Sequence, residues 1–148
     1  HRNLFPAGRL DKDTTGLMII TDDGEFAHNI LSPKKHISKT YRVTVRSSVS
    51  KEQTEQLENG VLIDGRETLP AEVAVLEKTD ARSVLQIKIF EGRNRQIRKM
   101  CEAADLTVKR LSRVSIGNLK LDGLPVGKWR ALEQNEVDYL YNATKERK

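Results

Sequence analysis

From residue 37 to 46 the chain alternates Tyr41, Val43 and Val45 with Thr40, Arg42, Thr44 and Arg46, giving one apolar and one polar face at a period of two. Only an extended strand places every second side chain on one side, so this segment commits the fold to a half-buried sheet. Residues 17–21, 61–63, 72–76, 83–90, 107–116 and 119–121 read as further strands, with turns at Asp64-Gly65-Arg66 and Thr79-Asp80-Ala81. Helical signals are interspersed. A short helix follows Asp22-Asp23-Gly24 with Phe26, Ile30 and Leu31 on its inner face and stops at Pro33. Ser50 and Gln53 form a capping box that opens a helix closing before Gly60. Asn94 is placed to cap a helix whose apolar residues Ile97, Met100, Cys101 and Ala104 recur at i, i+3, i+4 and i+7, with Arg95, Arg98 and Lys99 opposite. Met100 and Cys101 read as core. Residues 132–142 close the chain as a helix. The grouping predicts an α+β domain, a mixed and largely antiparallel sheet flanked by helices.

At 148 residues without linker, repeat or low-complexity tract, the chain reads as one unit, residues 1–148. It opens at His1 and reaches a dense motif within ten residues, which points to a polypeptide that continues upstream. No apolar run approaches the length of a membrane span, so no membrane partner is expected. A single Cys101 excludes an internal disulfide and favours a reducing compartment. With His1, His28 and His36 scattered, it offers no metal-ligand spacing. The net charge is +5 and the isoelectric point about 9.4. Residues 93–113 hold seven basic side chains (Arg93, Arg95, Arg98, Lys99, Lys109, Arg110, Arg113) against Glu102 and Asp105, a local surplus equal to that of the whole chain. A solvated helix face with an Arg98–Glu102 pair would explain some of this. Arg93 and Arg95, however, flank a helix start, where the macrodipole disfavours cations, and so call for an anionic partner. A nucleic acid fits. Aromatic residues make up 5% of the chain, too few for a multi-base stacking platform.

The densest chemistry is Gly8-Arg9-Leu10-Asp11-Lys12-Asp13-Thr14-Thr15-Gly16, two acids and two hydroxyls between glycines. As a calcium loop it would place Asp11, Asp13 and Thr15 at ligand positions, but an EF-hand requires flanking helices and a Glu where Asp22 stands. As a phosphotransferase loop, Asp11 and Asp13 would serve as nucleophile and assistant, but such a loop should follow an apolar strand, and Pro6-Ala7-Gly8 precedes this one. A turn-forming role suits Asp13, Thr14 and Thr15 and leaves Asp11 beside Arg9 unexplained.

This motif, followed by Lys39-Thr40-Tyr41, then Glu91-Gly92-Arg93-Asn94-Arg95-Gln96-Ile97-Arg98-Lys99-Met100, and finally Gly127-Lys128-Trp129-Arg130-Ala131-Leu132, resembles the bacterial ribosomal-RNA pseudouridine synthases of the RsuA/RluB/RluF branch, in the family's order and over nearly the whole chain. Residues 95–101 with 127–130 resemble the large-subunit (23S) enzymes, RluF in particular, more than the small-subunit (16S) ones. The resemblance implies a pseudouridine synthase catalytic fold, isomerisation of a uridine in ribosomal RNA, free or in pre-ribosomal particles, and action as a monomer in the cytoplasm without cofactor or metal. Asp11 matches the catalytic aspartate. Its role, whether attack at C1′, addition to the base or abstraction of the 2′ proton, stays open, and each requires an ionised carboxylate. Arg98 matches the basic residue that pairs with that aspartate, Tyr41 the residue that stacks on a flipped-out base, and Leu111 an apolar wall of the pocket. Arg9, Arg93, Arg95, Lys109, Arg110 and Arg113 would engage the RNA backbone. The family's S4-like RNA-binding domain and a strand carrying Asn-Lys-Pro, both upstream of Gly8, fall outside these residues, and the helix exit at Ala104-Asp105-Leu106 lacks the family's Gly. A non-catalytic RNA-binding domain with a structural acidic loop is the alternative reading.

Overall fold

The computed structural model describes residues 4–8, 10–32 and 37–143. Its centre is the alternating segment. Strand β4 (Lys39–Val45) lies between β8 (Ser83–Ile89) and β9 (Val108–Ile116), antiparallel to both, and β7 (Glu72–Lys78) adds to the far side of β8. The outer edge of β9 takes β10 (Leu119–Lys120) antiparallel and β2 (Thr15–Gly16) parallel. The sheet is therefore mixed and largely antiparallel, as the pattern predicts. Two short ladders stand apart from it: β1 (Phe5–Pro6) with β3 (Ile20–Thr21), and β5 (Leu62–Ile63) with β6 (Arg66–Glu67).

Val43 and Val45 are fully buried against Leu85, Ile87 and Leu111 of the neighbouring strands. Helix α3 (Gln96–Ala103) completes this core with Ile97, Met100 and Cys101, so the apolar stripe read from the sequence is a packing stripe. Burial pushes the Cys101 thiol up to about 12, consistent with a purely structural role. Helix α2 (Lys51–Asn59) begins at the expected capping box, with Ser50 Oγ accepting from Gln53 N–H and Gln53 Oε1 accepting from Ser50 N–H, and buries Leu57 in the same core. A second core gathers Phe26 and Ile30 of α1 (Gly24–Leu31), Ile116, Leu119, and Leu140 of α4 (Gln134–Ala143). Pro33, expected to end α1, lies outside the described residues; Ser32 is the observed C-cap.

Two expectations are corrected. Residues 17–21 do not form one strand. Thr15 and Gly16 pair with Ser112 and Arg113, while Ile20 and Thr21 pair with Pro6 and Phe5, and the buried Leu17 and Ile19 bridge the change of partner. The cause is the close crossing of Gly16 over β9. Its φ is +119°, and a Cβ at this position would fall 2.2 Å from the Arg113 carbonyl oxygen. Nor does Asn94 cap α3. Arg95 occupies the cap position in the left-handed region (φ 50°) with no side-chain bond to the helix, and Gln96 Oε1 instead accepts from Arg93 N–H at 3.0 Å. At the other end, Asp105 adopts φ 62° where a glycine would be expected, and its neighbour Leu106 returns an N–H to the Cys101 carbonyl at 2.8 Å.

Gly16→Ala forces both a strained φ and a backbone clash, so it should lower stability by about 3 kcal/mol, read as a shifted urea midpoint. A loss under about 1 kcal/mol would show that the crossing relaxes freely.

Candidate active site

The acidic loop is held by α3. A turn closes with Thr14 N–H donating to the Asp11 carbonyl at 2.9 Å, so Asp11 and Asp13 face the start of that helix. Arg95 grips Asp13 with two hydrogen bonds, Nη1 to Oδ1 at 3.2 Å and Nη2 to Oδ2 at 3.1 Å, and its Nη1 lies 3.7 Å from Asp11 Oδ2. One helical turn on, Arg98 Nη2 donates to the Asp13 carbonyl, and its Nε lies 3.3 Å from Asp13 Oδ1 without the alignment of a hydrogen bond. Arg98 therefore pairs with Asp13, not with Asp11 as expected, because its position on α3 carries it under the backbone of the turn. The cation nearest Asp11 among the described residues is Arg95, which was expected to bind RNA. The Arg95 hydrogen bonds hold the Asp13 carboxyl below the usual carboxylate range, and Asp13 in turn raises Arg95.

The anion that Arg95 at the helix start called for is thus the chain's own loop. Arg93 likewise meets protein: its guanidinium donates to the carbonyls of Ile63, Arg66 and Glu67 and ties down the β5–β6 hairpin. Lys99 pairs with Asp64 at 2.6 Å. Lys109 and Arg110 are exposed on β9, and Arg9 lies outside the described residues.

Beside the loop is a cleft of about 210 Å³. Asp11 and Thr14 form one side, Tyr41 and Lys39 of β4 and Leu111 and Arg113 of β9 line the sheet side, and Leu31 of α1 and residues 92–97 complete it. Tyr41 pairs in register with Ile87 and Arg113, half-buried, with its body on the core. The structure thus brings Asp11, Tyr41, Leu111, Arg93, Arg95 and Arg113 to one cavity. It leaves Lys109 and Arg110 outside it and puts Arg98 behind the loop. Neither lookalike receives its flanks: among the described residues a turn and a two-residue strand precede the loop, not a helix or a long apolar strand. No three His, Cys, Asp or Glu among the described residues gather as a metal-ligand set.

The family described as RNA pseudouridylate synthase matches residues 1–103. The chain belongs to that family. It is 41% identical over 141 residues to the ribosomal large subunit pseudouridine synthase B of Bacillus subtilis (strain 168), covering 94% of this chain and 58% of that protein. It is also 41% identical over 143 residues to the ribosomal small subunit pseudouridine synthase A of Vibrio parahaemolyticus, covering 95% and 60%. A crystal structure of a pseudouridylate synthase superposes with a TM-score of 0.85 at 39% identity, over 93% of this chain and 59% of the other. The chain thus spans under two thirds of the length of these relatives. Equal identity to large- and small-subunit enzymes leaves the choice of subunit unmarked. No helix among the described residues is long and apolar enough to cross a membrane.

Within this synthase-family fold, two cleft features and one beside the cleft escape sequence reading. Thr14 Oγ1 is buried without a partner and Lys39 is 5% exposed, while Glu91, next to the lining residue Gly92, is buried and accepts from Leu69 N–H and Gln96 Nε2. A signal for Lys39 existed: it lies two residues before Tyr41, hence on the same strand face. Burial, and secondarily the charge of Arg113, pulls its ammonium down to about 8 from 10.5.

A lysine whose folded value is depressed opposes folding while charged. That penalty is complete below about pH 8 and is relieved as pH rises from there toward 10.5. Lys39→Met should therefore be more stable than the parent at pH 7, by about 3 kcal/mol, and the gap should narrow by pH 10. Urea unfolding of both proteins at the two pH values checks this, and a pH-independent gap would refute it.

Proposed function

We propose that this chain is the catalytic part of a synthase that isomerises a uridine of ribosomal RNA to pseudouridine, with the large-subunit RNA as substrate, acting as a monomer in the bacterial cytoplasm. The observation that carries the reading is the placement of Asp11 and Tyr41 across one cleft, with the Arg95 guanidinium 3.7 Å from the Asp11 carboxylate. Isomerisation breaks the N1–C1′ bond, joins C5 to C1′, releases the C5 proton and returns a proton to N1. Nothing is oxidised or reduced. The reaction needs a carboxylate beside the ribose, a surface on which the freed base is kept while it turns, and a wall against water. Asp11 supplies the first, Tyr41 the second and Leu111 the third. The reacting bond is inaccessible in a stacked helix, so the nucleotide enters flipped out, and the half-buried ring of Tyr41 offers it a stacking partner.

Arg95 and Arg98 act on the loop. Arg95 keeps positive charge beside Asp11, and Arg98 fixes the Asp13 carbonyl, so the carboxylate is positioned before substrate arrives. Exposed Lys109 and Arg110 lie on the β9 ribbon beyond the cleft, where a longer stretch of RNA backbone would pass. The large-subunit assignment is supported by the similarity of residues 95–101 and 127–130 to enzymes of that class.

Transcripts of 23S and 16S RNA made with 5-tritiated uridine test the reading. The wild type should release tritium from the 23S transcript, and Asp11→Asn should lower the rate by at least about 10²-fold. Equal release from both proteins would instead support a non-catalytic RNA-binding domain with a structural acidic loop, and release from 16S alone would reverse the subunit assignment. Lys109→Ala and Arg110→Ala should each weaken RNA binding and reduce the slope of log K against log salt by about 0.7–0.9 for each phosphate no longer neutralised. An unchanged slope would mark those charges as merely solvated.

A further inference from the structure

Two cations line the floor of the cleft, and among the described residues no carboxylate lies within ion-pair distance of either. Lys39 ends the inward row of β4, and its Nζ reaches the Ile37 carbonyl at 3.5 Å, the outer limit of a hydrogen bond. Arg113, opposite Tyr41 in register and 6% exposed, donates Nε to the Leu17 carbonyl at 2.9 Å, while its buried Nη2 has no partner. None of the ion pairs among the described residues involves either side chain. Thr14 Oγ1, on the facing side of the same cleft, is also buried and unpartnered. Gly92 leaves the ammonium its space: a Cβ there would come within 3.3 Å of Nζ.

Two like charges buried together oppose folding, and Arg113 contributes to the depression of Lys39. Neither nearby acid pairs with them. Among the described residues the cation nearest Asp11 is Arg95, and Glu91, which lies outside the cleft lining, has Oε2 occupied by Leu69 N–H and Gln96 Nε2. The countercharge must therefore arrive with the ligand. Every nucleotide drawn into a cleft brings a phosphodiester with it. An ammonium, a guanidinium N–H and a hydroxyl provide three donors for the oxygens of one such group.

We infer that Lys39 Nζ, Arg113 Nη2 and Thr14 Oγ1 form a subsite for the phosphodiester adjoining the nucleotide whose base enters the cleft. The inference rests on the synthase reading above and adds to it a binding contact on β4 that positions the target nucleotide.

The test uses the full chain with the tritiated ribosomal transcripts, measuring steady-state release together with filter binding over a salt series. Lys39→Met should raise KM about tenfold with kcat within about twofold, and lower the salt slope by about 0.7, while Lys39→Arg restores both. Unchanged KM and slope would overturn the subsite. So would a loss confined to kcat, which would put the ammonium on the reacting base. If Lys39→Met fails to fold, Thr14→Val serves: removing an uncharged donor should raise KM several-fold and leave kcat and slope unchanged, and an unaltered KM would count against the subsite. Failure of the synthase reading is separable. A wild type that releases no tritium, with a Lys39→Met that still lowers the binding slope, would sink the activity and leave the phosphate contact standing.

Discussion

The crossing of β2 over β9 is the contact on which the rest depends. Two residues, Thr15 and Gly16, join the sheet in parallel, and the bonds that lock them are reciprocal: Leu17 N–H donates to the Arg113 carbonyl and Arg113 Nε donates to the Leu17 carbonyl. Upstream of this joint is the acidic loop; downstream are the buried Leu17 and Ile19 and helix α1, which supplies the cleft's Leu31. One short ladder therefore sets the distance between the carboxylate and the strand bearing Leu111 and Arg113. A side chain at Gly16 would alter both walls of the cleft at once.

Charge in this protein divides by depth. The surplus between residues 93 and 113 looks like one basic patch when counted along the chain, but the fold assigns its members to different tasks. Arg93 and Lys99 brace the β5–β6 hairpin, Arg95 and Arg98 hold the acidic loop, Lys109 and Arg110 remain exposed, and Arg113 is buried. Among the described residues, the buried cations without an ion-pair partner lie in the cleft, at Arg113 and at Lys39, which sits far away in sequence. Buried charge is costly, and where a fold retains it the cleft is left less stable than its packing would allow.

The sheet was legible because its signals are local. The alternation around Tyr41, the capping box at Ser50 and the stripe of Ile97, Met100 and Cys101 each follow from a few neighbouring residues, and each forms as read. What was illegible depends on partners distant in sequence. The apolar run after Gly16 breaks because β9 and β1 compete for it. Asn94 yields the cap position because the buried Gln96 satisfies the Arg93 N–H. The helix offers Arg95 and Arg98 to the loop in an order that spacing alone does not reveal, so family resemblance assigned Arg98 to Asp11 where the structure gives it to Asp13. The burial of Lys39 was not legible because a lysine in a strand ordinarily faces water, and only the packing of Ile89 and Gly92 around it shows otherwise.

Helix α4 carries a consequence for how the protein is made. Leu140 is fully buried among Phe26 and Ile30 of α1, and Tyr141 stacks on Phe26 with ring centroids 4.6 Å apart while its hydroxyl donates to Asp23. The central strands are complete once residue 116 has been translated, but α1, which brings Leu31 to the cleft, lacks its covering until residue 141 follows. During synthesis the sheet can form while the cavity beside it is still unfinished. A chain in which α4 has not yet docked would have a scaffold but no finished pocket, which ties the competence of the site to the packing of Leu140 and Tyr141 on α1.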